Sequence, residues 1–386
     1  MNTPARVPLL VGCYTQGPEP LGYFTNNAPA DAGVVLVTLD TADGSLSLAA
    51  SADGGTHPAY AAYDTATSTA YFVNENLDDG RVLALRVALE GAPRLQALGG
   101  SQPVTGHPCY LGVVSGSKLL CASYVSGEVT VLPLAGDGSI TGPGVTSKLP
   151  TPESATYPGP VAGRQDGPHA HCFEPVSSAA SFGLCCDLGS DRLYALSTAD
   201  GAVVSSAGLP PGCGPRHVAI NAASTMAYAS TELGNTLCAV PLDPTTGRLG
   251  AVVASASILP DGFSTPTTAS HVELSPCGRV AYVGNRVGVG HDGSCADAGD
   301  AAISVMSIAD GALRLAQFVP IGGKVARGFC VVAATAGRAA VSGYLVVGAQ
   351  ESGFVASFAI EAATGQLRPT GHKLAVPSPA VVRPCV

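Results

Sequence analysis

The chain has 386 residues, of which 46% are hydrophobic and only 12% are charged, and its formal net charge at pH 7 is −9. A nucleic-acid-binding protein would be expected to show a basic stripe, and none is present, so this class is excluded. No apolar run approaches the length of a membrane span. The 48 glycines and 30 prolines, with frequent valine and threonine and no long helix-period segment, are typical of an all-β fold.

The chain begins with two predicted strands that lack a complete repeat of their own. Residues 9–15 read as a strand that ends in a polar turn, and residues 34–39 read as another strand. Between them, residues 17–31 form a predicted loop rich in Pro, Gly and Asn, which is long enough to cover one face of the fold. Residues 7–11 are too short for the apolar region of a secretory signal.

A strand–turn–strand unit then recurs six times along the chain. Each unit reads as a turn, a strand, a polar turn, a second strand, a polar residue, and a Gly or Asp turn before a third strand. The markers of the units are His57, His107, His169, His217, His271 and Arg327, with spacings of 50, 62, 48, 54 and 56 residues. We expect four of them, His57, His107, His217 and His271, to occupy matching positions and to form hydrogen bonds between repeats. Periods of this size, with several strands in each repeat, are the signature of β-propeller blades.

The unit between Gly214 and Glu232 is the best defined of the six. Residues 218–220 and 226–230 are predicted strands joined by a polar turn, so they should form an antiparallel hairpin. Arg216 precedes the first strand and Glu232 follows the second, so both side chains should lie at the same end of the hairpin. Such a pair is either a surface ion pair or part of an active site, and its recurrence from unit to unit favours the active site.

Six units and the two chain ends together predict seven four-stranded antiparallel blades. Residues 374–386 contain one short strand, 380–382, so the N- and C-terminal strands should share the last blade and close the ring. Residues 1–386 are therefore predicted to form a single all-β propeller domain. Two long loops, 148–167 and 287–300, should lie at blade edges, where binding faces are built.

The 12 cysteines are scattered along the chain and include no Cys-x-x-Cys pair, which argues against a zinc site. Many lie within apolar strands, where a free cysteine acts as a small hydrophobic residue. We expect every cysteine to be a free thiol, as in a reducing intracellular compartment. His169 and His171 would face the same side of a strand, but no third ligand stands out, so neither a metal nor a cofactor is expected.

An ordered series of short motifs resembles one known family. The series comprises Gly12-Cys13-Tyr14-Thr15, Arg164-Gln165, His169-Ala170-His171, Asp187-Leu188-Gly189-Ser190-Asp191, Gly214-Pro215-Arg216-His217, Glu232-Leu233, Asn285-Arg286 and Val376-Pro377-Ser378-Pro379. In this order the motifs resemble the lactonases with a seven-bladed propeller, which include bacterial-type 6-phosphogluconolactonases and fungal carboxy-cis,cis-muconate cyclases. Gly214-Pro215-Arg216-His217 is the most specific of these motifs.

The resemblance implies a set of site residues. Resemblance to the cyclase branch of the family implies a His, two Arg and a Glu as catalytic residues, and carried over by motif these are His169, Arg216, Arg286 and Glu232. Substrate-binding positions are assigned to His171, Arg164, Asn285 and Arg327. Arginine is always charged and suits an oxyanion, a carboxylate or a phosphate. Either the His169 ring or the Glu232 carboxylate could activate water as the general base.

The function implied by the resemblance is hydrolysis of an anionic sugar lactone by a cytoplasmic enzyme of carbohydrate metabolism, in the pentose phosphate pathway. The expected partner is a small-molecule anionic lactone, with no nucleic acid and no membrane. Two alternatives stay open, namely a muconate-type lactonising cyclase in the same fold and a non-catalytic propeller scaffold. A scaffold would not need Arg, Glu and His side chains that converge on one face. The recurrence of these residues at one end of successive repeats therefore favours an enzyme. The oligomeric state also stays open.

Overall fold

The strands of the protein follow the repeat that the sequence predicts. The computed structural model describes residues 5–15, 30–152, 157, 159–177, 180–292, 294, 299–309, 311–334 and 340–386. The predicted loop at 17–31 therefore lies almost entirely outside the described residues. Within these ranges the strands form seven antiparallel sheets, which we call blades 1 to 7 in chain order.

The first four blades contain the following strands. Blade 1 consists of β1 (Arg6–Cys13), β2 (Val34–Asp40), β3 (Leu46–Ala52) and the C-terminal strand β29 (Pro379–Pro384). Blade 2 consists of β4 (Pro58–Asp64), β5 (Thr69–Asn74), β6 (Arg81–Ala88) and β7 (Arg94–Ala97), and the short strand β8 (Gln102–Pro103) also pairs with β6. Blade 3 consists of β9 (Pro108–Val114), β10 (Lys118–Ser123), β11 (Glu128–Pro133) and β12 (Val145–Lys148). Blade 4 consists of β13 (Glu174–Pro175), β14 (Phe182–Asp187), β15 (Arg192–Ser197) and β16 (Val203–Gly208).

The remaining three blades complete the ring. Blade 5 consists of β17 (Pro215–Ile220), β18 (Met226–Thr231), β19 (Thr236–Pro241) and β20 (Ala254–Ser257). Blade 6 consists of β21 (Thr267–Leu274), β22 (Val280–Val287), β23 (Ala302–Ala309) and β24 (Ala312–Pro320). Blade 7 consists of β25 (Ala326–Ala333), β26 (Val341–Ala349), β27 (Phe354–Glu361) and β28 (Leu367–Ala375), with one 3₁₀ turn at Gln350–Ser352. None of the helices in the described ranges is long and apolar enough to cross a membrane.

The innermost strands of the blades surround a central channel. Strand β29 pairs with β1 of its own blade and contacts β25 of blade 7 and β4 of blade 2. The prediction that both chain ends build the last blade is therefore confirmed. Because β29 pairs with β1, the backbone groups at the inner edge of β1 have partners. The prediction that residues 1–386 form one domain stays a prediction.

Buried tyrosines on the second strands connect neighbouring blades. The Tyr71 hydroxyl of blade 2 donates a hydrogen bond to the Gly138 carbonyl of blade 3 at 2.7 Å, and Tyr282 of blade 6 donates to Gly365 of blade 7 at 2.8 Å. Both rings are fully buried. Gly138 and Gly365 have left-handed φ values of 87° and 73°, which glycine adopts without strain. Each tyrosine thus packs a large apolar ring between blades while its hydroxyl keeps a partner.

The backbone at the start of each inner strand sets the register of the channel. One residue, which we call the entry residue, accepts through its carbonyl the N–H of the residue that follows the second strand of the blade. In blades 1 to 5 and 7 the residues that bond in this way are Ser378, His57, His107, His169, Gly214 and Val325, and in blade 6 the Pro266 carbonyl accepts from Gly288. Five of these residues, all except His169 and Pro266, have left-handed φ values between 43° and 63°. For Val325, a β-branched residue, this conformation is strongly disfavoured by itself.

The entry residues correct one expectation from the repeat. His57 and His107 are entry residues, whereas His217 lies three positions after its entry residue, Gly214. The expectation that the marker histidines occupy matching positions is therefore wrong. The backbone itself repeats, because the same bulge follows the entry residue in blades 2, 3 and 5. In blade 5 a glycine, Gly214, supplies the left-handed entry residue, and the histidine stands three positions later.

The cysteines behave as small core residues. All eleven cysteines in the described ranges are free, and ten of them are buried, with Cys277 the exposed exception. The expectation of free thiols is confirmed for these eleven, and Cys295 lies outside the described residues.

Candidate active site

A cluster of charged side chains fills the mouth of the channel at which the inner strands begin. The cluster surrounds a cavity of about 20 Å³, which has room for one water molecule. The cavity is lined by Glu75, His107, Cys109, Tyr124, Arg164, His171, Arg216, Glu232, Arg286 and Arg327. We call this end of the channel the arginine mouth.

Two rings of equivalent positions supply most of these side chains. The first ring lies two residues after the entry residue and contributes Cys109, His171, Arg216 and Arg327. The second ring lies directly after the second strand and contributes Glu75, Tyr124 and Glu232. Arg286 occupies the Glu232 position one blade further on, because Ala269 pairs with Asn285 as Pro215 pairs with Thr231. The same two backbone positions therefore present different chemical groups to one cavity.

Glu232 binds three arginines at once. Its Oε1 accepts from Arg164 Nη2 at 2.6 Å, and its Oε2 accepts from Arg216 Nε at 2.9 Å and Arg286 Nη2 at 2.8 Å. Only 2% of Glu232 is exposed. Burial by itself would raise the pKa of Glu232, but the three guanidinium groups, Arg286 most strongly, hold the pKa well below its usual value. The carboxylate is therefore ionised, and both of its oxygens are occupied.

A second carboxylate lies across the same cavity. Glu75 accepts from Arg327 Nη2 at 3.1 Å through each of its oxygens and also accepts from the Tyr14 hydroxyl. Burial opposes its ionisation, but Arg327 and other neighbours hold the pKa of Glu75 below its usual value. Four guanidinium groups and two carboxylates thus line the cavity, which leaves a surplus of two positive charges.

Two neutral histidines complete the lining. The Nε2 atom of His171 lies 3.8 Å from Glu232 Oε2. Burial, reinforced by Arg216, lowers the pKa of His171 well below its ordinary value, so the ring is neutral at physiological pH. Burial also lowers the pKa of His107, and both of its ring nitrogens are buried with no hydrogen-bond partner among the described residues. A neutral imidazole can accept a proton in this site.

Six of the eight site residues named from the sequence line the cavity, and two do not. The residues that reach it are Arg164, His171, Arg216, Arg286 and Arg327, with Glu232. His169 is an entry residue whose ring stacks on Tyr124 with centroids 4.5 Å apart. Its Nδ1 lies 2.9 Å from the Tyr124 carbonyl and its Nε2 lies 2.8 Å from Asp166 Oδ1. Asn285 is buried beside the site and donates to Ser304 Oγ at 2.8 Å.

Four lining residues were not among the candidates named from the sequence. These residues are Glu75, His107, Cys109 and Tyr124. The polar residue after each second strand was visible in the repeat, and Glu75 and Tyr124 follow their strands as Glu232 does. This register was the available signal. Arg327 and Glu75, which form an ion pair, are 252 residues apart in the chain, so their contact leaves no local pattern.

A larger cavity, of about 530 Å³, lies at the other mouth of the channel. Its charged lining residues are Glu174, Glu273 and Arg383, so carboxylates outnumber cations there. Volume alone would favour this cavity as the site of an organic ligand. We place the candidate site at the arginine mouth because its surplus of guanidinium groups can bind an anion and stabilise a developing oxyanion. No group of three or more potential ligand residues within the described ranges is arranged to hold a metal ion.

Comparison with known proteins identifies one family over nearly the whole chain. The family model described as "Lactonase, 7-bladed beta-propeller" matches residues 8–384. A protein named 6-phosphogluconolactonase from Bacillus subtilis (strain 168) is 29% identical over 378 residues, which are 97% of this chain and 97% of that protein. Two solved structures share the fold. The periplasmic gluconolactonase PpgL of Pseudomonas aeruginosa has a TM-score of 0.79 with 24% identity, covering 99% of each chain. A protein from Lactobacillus plantarum has a TM-score of 0.77 with 24% identity, covering 98% of this chain and 99% of that one.

The buried histidines predict a loss of stability at mildly acidic pH. Burial lowers the pKa of His271 from 6.5 to about 4 and holds the pKa values of His171 and His217 well below their ordinary value. Below pH 6.5 the unfolded chain therefore binds more protons than the folded chain, and the free energy of unfolding falls by up to about 1.4 kcal/mol per pH unit for each such group.

Urea unfolding at several pH values between 7.5 and 4.5 measures this slope. We expect the free energy of unfolding to decrease steadily below pH 6.5, and the His171→Gln variant to show a shallower slope than the wild type. A free energy that stays constant across this range would contradict the assignment of neutral, buried histidines.

Proposed function

The chain belongs to the family of lactonases with a seven-bladed β-propeller, and we propose that it hydrolyses an anionic sugar lactone as a 6-phosphogluconolactonase does. The observation that carries the proposal is the surplus of two positive charges at the arginine mouth, formed by four guanidinium groups around two carboxylates. A phosphate monoester carries a charge of about −1.5 to −2 at neutral pH. Such a substrate matches the charge of the mouth and the fork geometry of arginine.

Two arginines are proposed to stabilise the transition state. When water attacks the acyl carbon of a lactone, the carbonyl oxygen becomes an oxyanion, which fixed cationic donors stabilise. Glu232 Oε2 lies 2.9 Å from Arg216 Nε and 2.8 Å from Arg286 Nη2. These ion pairs orient both guanidinium groups before a substrate binds. Burial lowers the pKa of Arg286 to about 10, and the group is still charged at neutral pH.

The proton balance assigns different roles to Glu232 and the histidines. Glu232 is occupied by three arginines, so we assign it the role of orienting them. The neutral ring of His171 accepts a proton from the attacking water and returns it to the ring oxygen as the acyl–oxygen bond breaks. We assign this role to His171 and not to His169, because only His171 shares the register of Arg216 and lines the cavity. Both ring nitrogens of His169 already face acceptors.

A cytoplasmic location and a role in the pentose phosphate pathway are part of the proposal. Eleven free cysteines, ten of them buried, support a reducing compartment. The substrate is a small molecule, and a positive pocket on a chain with a net charge of −9 would concentrate anions locally.

A comparison of two lactones tests the function. The wild-type protein should hydrolyse 6-phosphogluconolactone with a kcat/KM at least about tenfold higher than that for unphosphorylated gluconolactone. Only the phosphorylated lactone carries negative charge that can bind the surplus guanidinium groups of the arginine mouth. Both rates are corrected for spontaneous hydrolysis. Equal rates for the two lactones would overturn the choice of substrate. Turnover of a carboxymuconate without hydrolysis of either lactone would instead favour the cyclase, and no turnover at all would favour the scaffold.

Replacement of Arg216 tests the catalytic assignment. Arg216→Ala should lower kcat/KM at least about tenfold, or about 1.4 kcal/mol, because one fixed oxyanion donor is lost. Arg216→Lys should recover little, since a point charge does not reproduce a guanidinium fork. The control is Arg81→Ala, because Arg81 forms an exposed ion pair with Asp79 at 2.8 Å outside the arginine mouth. Full activity in a folded Arg216→Ala variant would contradict the assignment.

The two histidines of the His-x-His motif distinguish the candidate bases. His171→Ala should lower kcat by at least about a hundredfold at pH 7, the low end of the range for a lost general base, with a smaller change in KM. His169→Ala is the matched control and should reduce kcat far less, since its ring contacts Tyr124 and Asp166 at the edge of the site. A larger loss in His169→Ala than in His171→Ala would return the base to His169.

A further inference from the structure

A file of hydrogen-bonded side chains crosses the channel below the arginine mouth. Arg216 Nη1 lies 2.9 Å from His217 Nε2, and His217 Nδ1 lies 2.8 Å from His271 Nδ1. His271 Nε2 then lies 3.1 Å from Glu273 Oε1, which also accepts from Arg383 Nη1 at 2.9 Å. We call these five residues the histidine file. The file connects blades 5, 6 and 1 and ends in the large cavity at the other mouth.

The chemistry of its two ends fixes the direction of every hydrogen bond in the file. A guanidinium group can only donate, so His217 Nε2 accepts and the single proton of its neutral ring is on Nδ1. That proton points to His271 Nδ1, which must accept, so the His271 proton is on Nε2. The Glu273 carboxylate then accepts from His271 Nε2. With both rings neutral, this is the only arrangement of protons in which each contact of the file is a hydrogen bond.

The surroundings keep both rings neutral and immobile. His217 and His271 are 2% and 3% exposed, and burial lowers the pKa of each ring. The Tyr110 ring meets His217 edge-on with centroids 4.9 Å apart, and Phe329 meets His271 at 5.0 Å. At the far end, the Val331 N–H binds Glu273 Oε2 at 2.7 Å and fixes the terminal acceptor.

We propose that His217 and His271 are positioning residues that orient Arg216 for catalysis, an inference that rests on the proposed function. Two nitrogens of Arg216 are engaged, Nε by Glu232 and Nη1 by His217. Two hydrogen bonds on different edges fix the plane of a guanidinium group. The third nitrogen, Nη2, makes no hydrogen bond to a described residue, and Arg216 lines the cavity. The file thus leaves one donor of Arg216 available to the substrate.

The direction of the file explains why the side chain at position 271 must both accept from His217 and donate to Glu273. If His271 could not accept, the His217 proton would have no partner on Nδ1. The ring would then be free to carry its proton on Nε2, where it would face the donor of Arg216 instead of accepting from it. The orientation of Arg216 therefore depends on residues of blades 6 and 1 that do not line its cavity.

Two substitutions of His271 separate positioning from packing. His271→Phe keeps an aromatic ring but removes the acceptor, and we expect kcat for 6-phosphogluconolactone to fall at least about fivefold with less change in KM, in keeping with lost transition-state orientation. His271→Gln restores both functions of the ring, because its amide oxygen can accept from His217 while its amide nitrogen donates to Glu273. This variant should keep kcat within about twofold of the wild type, since the file is restored. Thermal unfolding of each variant checks that it is folded.

Glu174 offers a matched control at the far mouth. It lines the same large cavity as Glu273 but accepts its hydrogen bond from the Tyr110 hydroxyl at 2.9 Å, outside the file. Glu174→Gln should therefore leave kcat unchanged. Equal losses in His271→Phe and His271→Gln, or a loss in Glu174→Gln as large as in His271→Phe, would overturn the proposal.

Nitrogen NMR of the wild-type imidazoles gives a test that needs neither a variant nor activity. At neutral pH the spectrum should show His217 protonated on Nδ1 and His271 protonated on Nε2. Any other pair of tautomers would overturn the file even if the enzyme is active. If the tautomers are as expected but neither lactone is hydrolysed, the proposed function fails and the role of the file in catalysis falls with it, while the hydrogen-bond directions stand.

Discussion

The buried carboxylate of Glu232 holds together arginines from three segments of the chain, and the geometry of the arginine mouth depends on it. Arg164 comes from the loop before blade 4, Arg216 from blade 5 and Arg286 from blade 6. Without Glu232 these guanidinium groups would repel one another in a cavity with room for a single water. Removing one partner of a buried ion pair typically costs about 3–5 kcal/mol. The closed ring of blades and the ion cluster therefore stabilise each other.

The propeller uses a symmetric backbone for an asymmetric site. Six blades repeat the same two positions at the arginine mouth, one two residues after the entry residue and one directly after the second strand, and blade 6 presents Arg286 at the position equivalent to Glu232. These positions carry arginine, glutamate, histidine, cysteine or tyrosine in different blades. Because the backbone is common to all blades, the chemistry can change residue by residue without altering the fold, which is why the fold by itself does not decide the function.

The channel has a distinct composition at each level along its axis. The arginine mouth has a surplus of positive charge, the middle is filled by neutral histidines and stacked tyrosines, and the far mouth carries two carboxylates with one arginine. The charged side chains of the arginine mouth are buried, which strengthens the hydrogen bonds among them. The histidine file is the hydrogen-bonded connection that runs through the middle, so both mouths are coupled to the orientation of Arg216.

The repeat and its motifs predicted the seven blades and six of the ten residues that line the arginine mouth, whereas contacts between distant parts of the chain added the other four. The period of the repeat and the incomplete ends predicted seven blades closed by β29, and the hairpin from Gly214 to Glu232 placed Arg216 beside its carboxylate. The spacing of the histidines does not reveal which residue of each unit is the entry residue, and the direction of a side chain depends on its distance from that residue. For this reason only the structure showed that His171, and not His169, shares the register of Arg216. It also brought Glu75 to Arg327, because ring closure joins residues that are far apart in the chain.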